Sequence, residues 1–359
     1  MFDHESHDAH EGVHLFEDSA SGLRAIIAIH STSLGPAAGG CRMWNYSSGE
    51  AMLRDALRLS QGMSFKNAMA GLDLGGGKAV IWGNPRTDKS PELFRAFGRA
   101  IESLQGRYYT AEDVGISPAD MEFVAEETRY VAGRETGEAA SGDPSPVTAL
   151  GIFRGIKACA QRVFDTDSVE GLTIAVQGVG HVGGQLARLL ATDGANLVIS
   201  DVNAEALEDV RNQTGASIVA PEEITSVQAD IFSPNALGGI VTEEMLQNFR
   251  AKIIAGGANN QLVTRDLGAR LVDAGVLYAP DYIINGGGII NVASEISGTY
   301  SRDWVDEKLD ALIETLGQVL DRALEEGRPT SDVADDMARD RIAKGRSGLR
   351  TETRAAAVD

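Results

Sequence analysis

Apolar residues recur along this chain in two alternating periods. From Leu23 to His30 the run Leu-Arg-Ala-Ile-Ile-Ala-Ile-His is rich in β-branched residues and predicts a strand. A glycine-rich loop follows, and Glu50 to Met63 then places Met52, Leu53, Ala56, Leu57 and Leu59 at helical spacing. Leu93 to Leu104 repeats the helical pattern after Pro91, and Met121 to Val131 repeats it after Ser117-Pro118, where proline fits a first helical turn. The first part of the chain therefore reads as α/β.

Gly137 to Pro146 packs glycine, serine and proline densely, which is hinge composition, and the domain boundary is expected there. A helix from Val147 to Val163 follows. Leu172–Gln177 then reads as a buried strand, Val182–Thr192 as a helix and Ala195–Ser200 as a second strand, which makes a βαβ unit. Short apolar runs at Ala229–Phe232, Lys252–Ala255 and Val276–Ala279 continue the alternation, as a doubly wound parallel sheet requires. Arg302 to Leu324 reads as a long amphipathic helix, Gly327 to Ser331 breaks it, and a last helix is expected from Asp332 to Ala343. The expected organisation is a first domain over 1–143, a dinucleotide-binding domain over 144–327, a helix over 328–345 that can return to the first domain, and a tail over 346–359 too poor in apolar residues to fold alone.

At 359 residues the chain is long enough for two cores, and with 43% apolar and 23% charged residues it is neither disordered nor fibrous. The net charge of −20 repels phosphate backbones and anionic membranes, so nucleic acid is an unfavourable partner. Only Cys41 and Cys159 occur, which points to reduced thiols in a cytoplasm and not to a disulfide framework. The polar N-terminus has no apolar targeting core, and no window approaches the roughly 18 apolar residues of a membrane span.

If helical, His4, His7, His10 and His14 would share one side, but no cysteine or acidic ligand pair accompanies them. A solvated leader or frayed helix is the expectation, with no metal site.

Gly178-Val179-Gly180-His181-Val182-Gly183 follows a predicted strand and opens a predicted helix. The first glycine makes a tight turn, the second admits a pyrophosphate to the backbone, and the third allows close helix packing. Pyrophosphate then sits on the helix N-terminus. Asp201 stands twenty-one residues past Gly180, where a carboxylate accepts adenosine ribose hydroxyls and repels a 2′-phosphate; NAD is favoured, although Asn203 and Arg211 keep NADP open.

Lys66, in Ser-Phe-Lys-Asn, and Lys78, in Gly-Gly-Gly-Lys-Ala, lie twelve residues apart. A phosphate loop is excluded, because Leu72 and Ala79 occupy positions that need glycine and a hydroxyl. Of two lysines in a dry site, one can pair a substrate carboxylate while the other, desolvated and near a like charge, gives up its proton and serves as a base. Thr110-Ala-Glu112-Asp113-Val-Gly115 adds two carboxylates beside a loop glycine, able to shuttle protons.

Leu34–Met43, Gly62–Asn67, Leu74–Lys78, Thr110–Gly115, Pro144–Thr148, Ala255–Gln261, Tyr278–Tyr282 and Asn285–Gly288 together resemble the glutamate/leucine/phenylalanine/valine dehydrogenase family, in particular its short bacterial leucine and valine members. The similarity runs from Leu23 to Ile342. It implies NAD-linked, reversible oxidative deamination of an L-amino acid to a 2-oxo acid and ammonia, in a cleft between an oligomerisation domain and a Rossmann domain, by a homo-oligomer of two to eight subunits. By matching motif, Lys66 and the Gly39-Gly40 loop would bind the substrate carboxylate, Lys78 would activate water, and Asp113 would hold the amino group. Thr148, Asn259 and Asn260 look like nicotinamide or substrate contacts, and Ala236 and Ala258 belong to the implied cofactor site.

The family's side-chain pocket maps to Ala38, Ala111, Ile289 and Val292, all apolar, so a charged side chain would be buried unpaired and rejected. Alanine at 111, where phenylalanine-selective relatives tend to carry glycine, favours a branched aliphatic substrate. Alanine at 38, where leucine enzymes usually carry leucine, enlarges the pocket and leaves an aromatic substrate open. Asn235 stands where relatives usually have cysteine. Two further readings are a non-catalytic NAD sensor, which needs only the glycine turn, and another enzyme on the same fold, such as a methyltransferase, which leaves the lysines unexplained.

Overall fold

A computed structural model describes residues 2–134, 143–298 and 301–356, and the chain divides into two units. One comprises Met1–Gly142, Ile289–Val305 and Ala338–Asp359, the other Asp143–Gly288 and Asp306–Met337. Most of the expected hinge from Gly137 to Pro146 lies outside the described residues.

The first unit contains β1 (Gly12–Asp18), β2 (Leu23–Ser31), β3 (Ala37–Ala38), β4 (Cys41–Trp44), α1 (Gly49–Met69), β5 (Gly75–Trp82), α2 (Pro91–Glu102), β6 (Tyr108–Tyr109) and α3 (Pro118–Ala125). β2 is antiparallel to β1 and β5, whereas β3 and β4 run parallel to β5 and β3 parallel to β6. Both faces of β2 and β5 are covered, which explains their unbroken apolar runs. Ile27, Ile29, Ala79 and Ile81 pack with Phe94 and Phe97 of α2, while Ile26, Ala28 and Val80 pack with Met52 and Ala56 of α1. Ser48 and Ser90 cap α1 and α2 by accepting from Ala51 N and Leu93 N, and Ser117 with Asp120 forms a reciprocal capping box on α3.

Three expectations are corrected here. The helix beginning near Glu50 runs on to Met69, so Lys66 lies in its last turn. The helix expected over Met121–Val131 ends at Ala125, and Val131 instead bridges to Thr110 beside the sheet. The histidine-bearing leader is integrated: His14 lies in β1, and the His10 ring accepts from Asp8 N at 3.2 Å and reaches Leu57 O at 3.1 Å and Ser60 Oγ at 3.0 Å. Asp8 in turn pairs with Arg339 at 2.8 Å.

The second unit begins with α4 (Ser145–Phe164), β7 (Thr173–Gln177), α5 (His181–Thr192), β8 (Asn196–Ser200), α6 (Ala204–Thr214) and β9 (Ser217–Ile218). It continues through β10 (Ile231–Pro234), α7 (Glu243–Asn248), β11 (Ile253–Ile254), α8 (Leu267–Asp273), β12 (Leu277–Tyr278) and α9 (Asp281–Ile284). Its sheet is parallel throughout, in the order β12-β11-β10-β7-β8-β9. The order reverses between β7 and β10, which is the switch point where doubly wound sheets bind ligands at their carboxyl ends. α10 (Gly287–Ile296), α11 (Arg302–Glu326) and α12 (Thr330–Ala356) complete the chain, and each carries it from one unit into the other. α12 passes Ala343, where the last helix was expected to end, and takes in 346–356 of the expected tail. Among the described residues no helix is long and apolar enough to cross a membrane.

Candidate active site

In the first unit β5 carries Lys78 opposite Ala28 of β2, with its side chain 7% exposed. Its Nζ lies 2.8 Å from Oδ2 of Asp113, in the loop after β6. Arg42 of β4 approaches the same oxygen through Nε at 3.2 Å and reaches Asp55 of α1 through Nη1 at 3.1 Å. Tyr46 OH donates to Asp55 Oδ2 at 2.7 Å. Burial works to raise the Asp113 carboxyl, but the Lys78 ammonium and the Arg42 guanidinium outweigh it and hold the group below the usual carboxylate range. The structure thus joins Lys78 to Asp113, and adds Arg42, Asp55 and Tyr46, which the sequence reading missed. The available signal was the alternation in β4, where Cys41 and Met43 are buried and Arg42 faces the other way.

Lys66 lies half-buried at the end of α1, just before Asn67. Asn67 is fully buried, and its amide donates to Gly75 O at 2.5 Å. The glycines around Lys78 serve the protein's own packing. A Cβ on Gly77 would lie 2.7 Å from the Tyr108 ring, one on Gly76 would strike the backbone of Ser64 in α1, and one on Gly39 would strike the Gly77 carbonyl. Tyr108 OH, fully buried, donates to Gly39 O at 2.6 Å and fixes the Gly39-Gly40 turn between β3 and β4.

Of the four expected pocket residues, Ala38 is buried in β3 and Ala111 in the loop after β6. Ile289 and Val292 lie three residues apart on α10, both half-buried. Glu295 of α10 accepts from Gly133 N at 2.7 Å, and Gly133 lies against Ala111, 3.7 Å from its Cβ to a Cβ built on the glycine. Ala111 and α10 are thereby held in one neighbourhood.

In the second unit the turn from β7 to α5 has the form the glycine pattern demands. Gly178 takes φ 84°, a conformation that favours glycine, and a Cβ there would meet Ala236 at 2.8 Å. A Cβ on Gly183 would strike the Gly178 carbonyl, so the third glycine lets α5 close onto the turn. Gly180 is the N-cap of α5 with no side-chain bond to the first turn, and open space lies above its Cα. His181 is exposed, Val182 half-buried and Val179 buried. The Asp201 carboxylate is fixed at the end of β8 by Val179 N at 2.7 Å and Asn203 N at 2.9 Å. Free helix N–H groups under open space, beside a held carboxylate, fit a dinucleotide's pyrophosphate and ribose.

The remaining expected contacts sit at the carboxyl ends of β10 and β11. Ala258 N donates to Pro234 O at 2.9 Å. Asn259 Oδ1 accepts from Asn285 at 2.8 Å, and Asn260 adopts φ 51°, which asparagine tolerates better than most residues. Buried Gln261 braces this loop through Gly256 O at 2.7 Å and Ala258 O at 2.9 Å. Asn235, in place of the usual cysteine, accepts from Gly257 N at 2.8 Å and ties the same loop to β10. Thr148 Oγ1 donates to Pro144 O at 2.9 Å in the first turn of α4, which packs on Gly287.

The profile of the Glu/Leu/Phe/Val dehydrogenase dimerisation domain matches residues 10–130, and that of the Glutamate/Leucine/Phenylalanine/Valine dehydrogenase domain matches residues 197–344. Leucine dehydrogenase of Thermoactinomyces intermedius is 48% identical over 95% of this chain and 93% of its own. Phenylalanine dehydrogenase of Bacillus thermotolerans is 44% identical over 93% and 88%. The crystal structure of L-tryptophan dehydrogenase from Nostoc punctiforme superposes with a TM-score of 0.84 at 42% identity, covering 94% of this chain and 97% of that one. With both profiles matched and near full-length identity of this order, the chain belongs to the Glu/Leu/Phe/Val dehydrogenase family.

Proposed function

We propose that this protein catalyses the NAD-dependent, reversible oxidative deamination of L-leucine and related branched-chain amino acids to the 2-oxo acid and ammonia. The observation that carries the reading is the Lys78–Asp113 pair, an amine on the buried strand β5 and a carboxylate in the loop after β6 within proton-exchange distance. Lys66 and the Gly39-Gly40 turn bind the substrate carboxylate, and Asp113 holds the amino group and exchanges protons with it. Lys78, once deprotonated, takes a proton from the water that adds to the imino carbon. The α5 turn, Asp201, Thr148, Ala236, Ala258 and Asn259 would hold the dinucleotide, whose nicotinamide would accept the hydride from the substrate Cα. Asp201 favours NAD, because its charge opposes a 2′-phosphate.

Ala38, Ala111, Ile289 and Val292 offer a side chain only apolar surface and select an uncharged amino acid, and Asn260 is assigned a substrate contact as well. Similarity to leucine dehydrogenase at 48% identity supports the branched-chain choice. A second reading, an aromatic substrate, is favoured by the small side chains at 38 and 111, since a methylene is worth only about 1–3 kcal/mol of discrimination. Residues 1–143 would form the substrate and oligomerisation domain of a cytoplasmic homo-oligomer, and 144–327 the dinucleotide domain.

Initial rates of dinucleotide reduction with L-leucine, L-valine, L-isoleucine, L-phenylalanine, L-tryptophan and L-glutamate, each with NAD and NADP, test the proposal. A branched-chain preference with NAD upholds it. An aromatic preference installs the second reading, and no activity with any substrate returns the chain to the sensor reading.

A further inference from the structure

Asp113 sits where two cations converge, and only one of them can give up a proton. The groups facing it are Lys78 from β5 and Arg42 from β4, with Asp55 of α1 behind Arg42 and Glu112 its neighbour in sequence. The nearby Tyr108 phenol and Cys41 thiol are both pushed up by burial and remain neutral. When Lys78 acts as a base it must spend part of each cycle uncharged, and with Lys78 as its sole partner a carboxylate only 26% exposed would then stand alone at a severe desolvation cost. The Arg42 guanidinium cannot be deprotonated in this way. Its other face is occupied by Asp55, itself held by Tyr46 OH, so the fork is fixed at both ends.

We propose that Arg42 is a positioning residue that gives Asp113 a permanent counter-charge, so that Lys78 can lose and regain its proton without leaving the carboxylate unpaired. Asp55, backed by Tyr46, sets how much of the Arg42 charge Asp113 receives. This rests on the roles proposed above for Lys78 and Asp113.

The test is the pH profile of kcat/KM with the preferred amino acid, whose acid limb reports the Lys78–Asp113 cluster as a unit. Removing a fixed cation makes the cluster hold its proton to higher pH, so Arg42→Gln is expected to move the limb up by about one pH unit. Removing an anion does the reverse, so Asp55→Asn is expected to move it down. Arg42→Lys restores a cation and brings the limb back toward that of the unaltered protein. Damage to packing lowers rates in both variants but does not move the limb in opposite directions. An unmoved limb in Arg42→Gln, or shifts of the same sign in both, overturns the proposal. Should Arg42→Gln fail to fold, Asp55→Asn decides alone: a downward shift supports it and an unmoved or raised limb overturns it. An unaltered protein inactive with every amino acid removes the underlying reading, and this proposal with it.

Discussion

The side-chain amide of Asn67 donates to the carbonyl of Gly75 at 2.5 Å and so ties the last turn of α1 to the first residue of β5. Lys66 immediately precedes one partner and Lys78 follows the other by three residues, so this bond helps set the spacing of the two lysines. Asn67→Ala should cost about 1–3 kcal/mol, the penalty for depriving a buried acceptor of its donor. The thermal midpoint should fall and KM for the amino acid should rise. Differential scanning calorimetry showing an unchanged midpoint would remove this assignment.

Lys78→Ala should abolish most turnover while leaving dinucleotide binding intact, because the cofactor turn belongs to the other unit. Lys66→Ala should act mainly on KM. Steady-state kinetics alongside calorimetric dinucleotide titration separate the two roles, and near-normal kcat for Lys78→Ala would refute its part as base.

Asp201→Ala should weaken NAD binding by about 1.5–3 kcal/mol, on the order of ten- to a hundredfold in Kd. The carboxylate is already fixed by Val179 N and Asn203 N, so the variant loses a preorganised acceptor. An unaltered Kd would withdraw the basis for preferring NAD.

Stability should decline in two steps on acidification. Burial holds the His10 imidazole below its ordinary 6.5, so the stability tied to its neutral ring is complete above about pH 6.5 and is lost as pH falls through the lower folded value. Asp113, and Asp8 beside Arg339, are held below the usual 3.8 against their own desolvation. Their contribution is present above about pH 4 and is lost as pH falls further. Urea midpoints across this range should show both steps, His10→Gln should shrink the first, which His14 shares because burial lowers its imidazole too, and Asp113→Asn should shrink the second.

The second unit was largely legible in the sequence, because its strands are short apolar runs and its ligand turn is a local pattern of three glycines and one carboxylate. The first unit hid more. β5 opens with three glycines that carry no periodic signal, and what makes them necessary, the Tyr108 ring and the Ser64 backbone, is remote in sequence. The last turn of α1, with Ser64, Lys66 and Asn67, reads as polar loop until the sheet it packs on is known. The helix predicted through Val131 failed because Val131 is apolar for another reason, its bridge to Thr110. Arg42, Asp55 and Tyr46 were invisible as a set because a charge network is a property of three dimensions.

α12 has a consequence for how the protein is made. Arg341 Nη1 donates to Ala68 O at 2.9 Å and Met69 O at 3.2 Å, adding a second brace to the carbonyl end of α1. Gly345 comes so close to Ser33 O and Leu34 that a side chain there would collide. The helix bearing Lys66, capped locally by Ala70, Gly71 and Leu72, therefore gains this outer brace only once the segment from Ala338 onward has been made. Nascent chains halted before residue 338 should have an open first unit whatever the state of the second, and a stop codon there should yield protein defective in amino acid binding long before it is defective in dinucleotide binding.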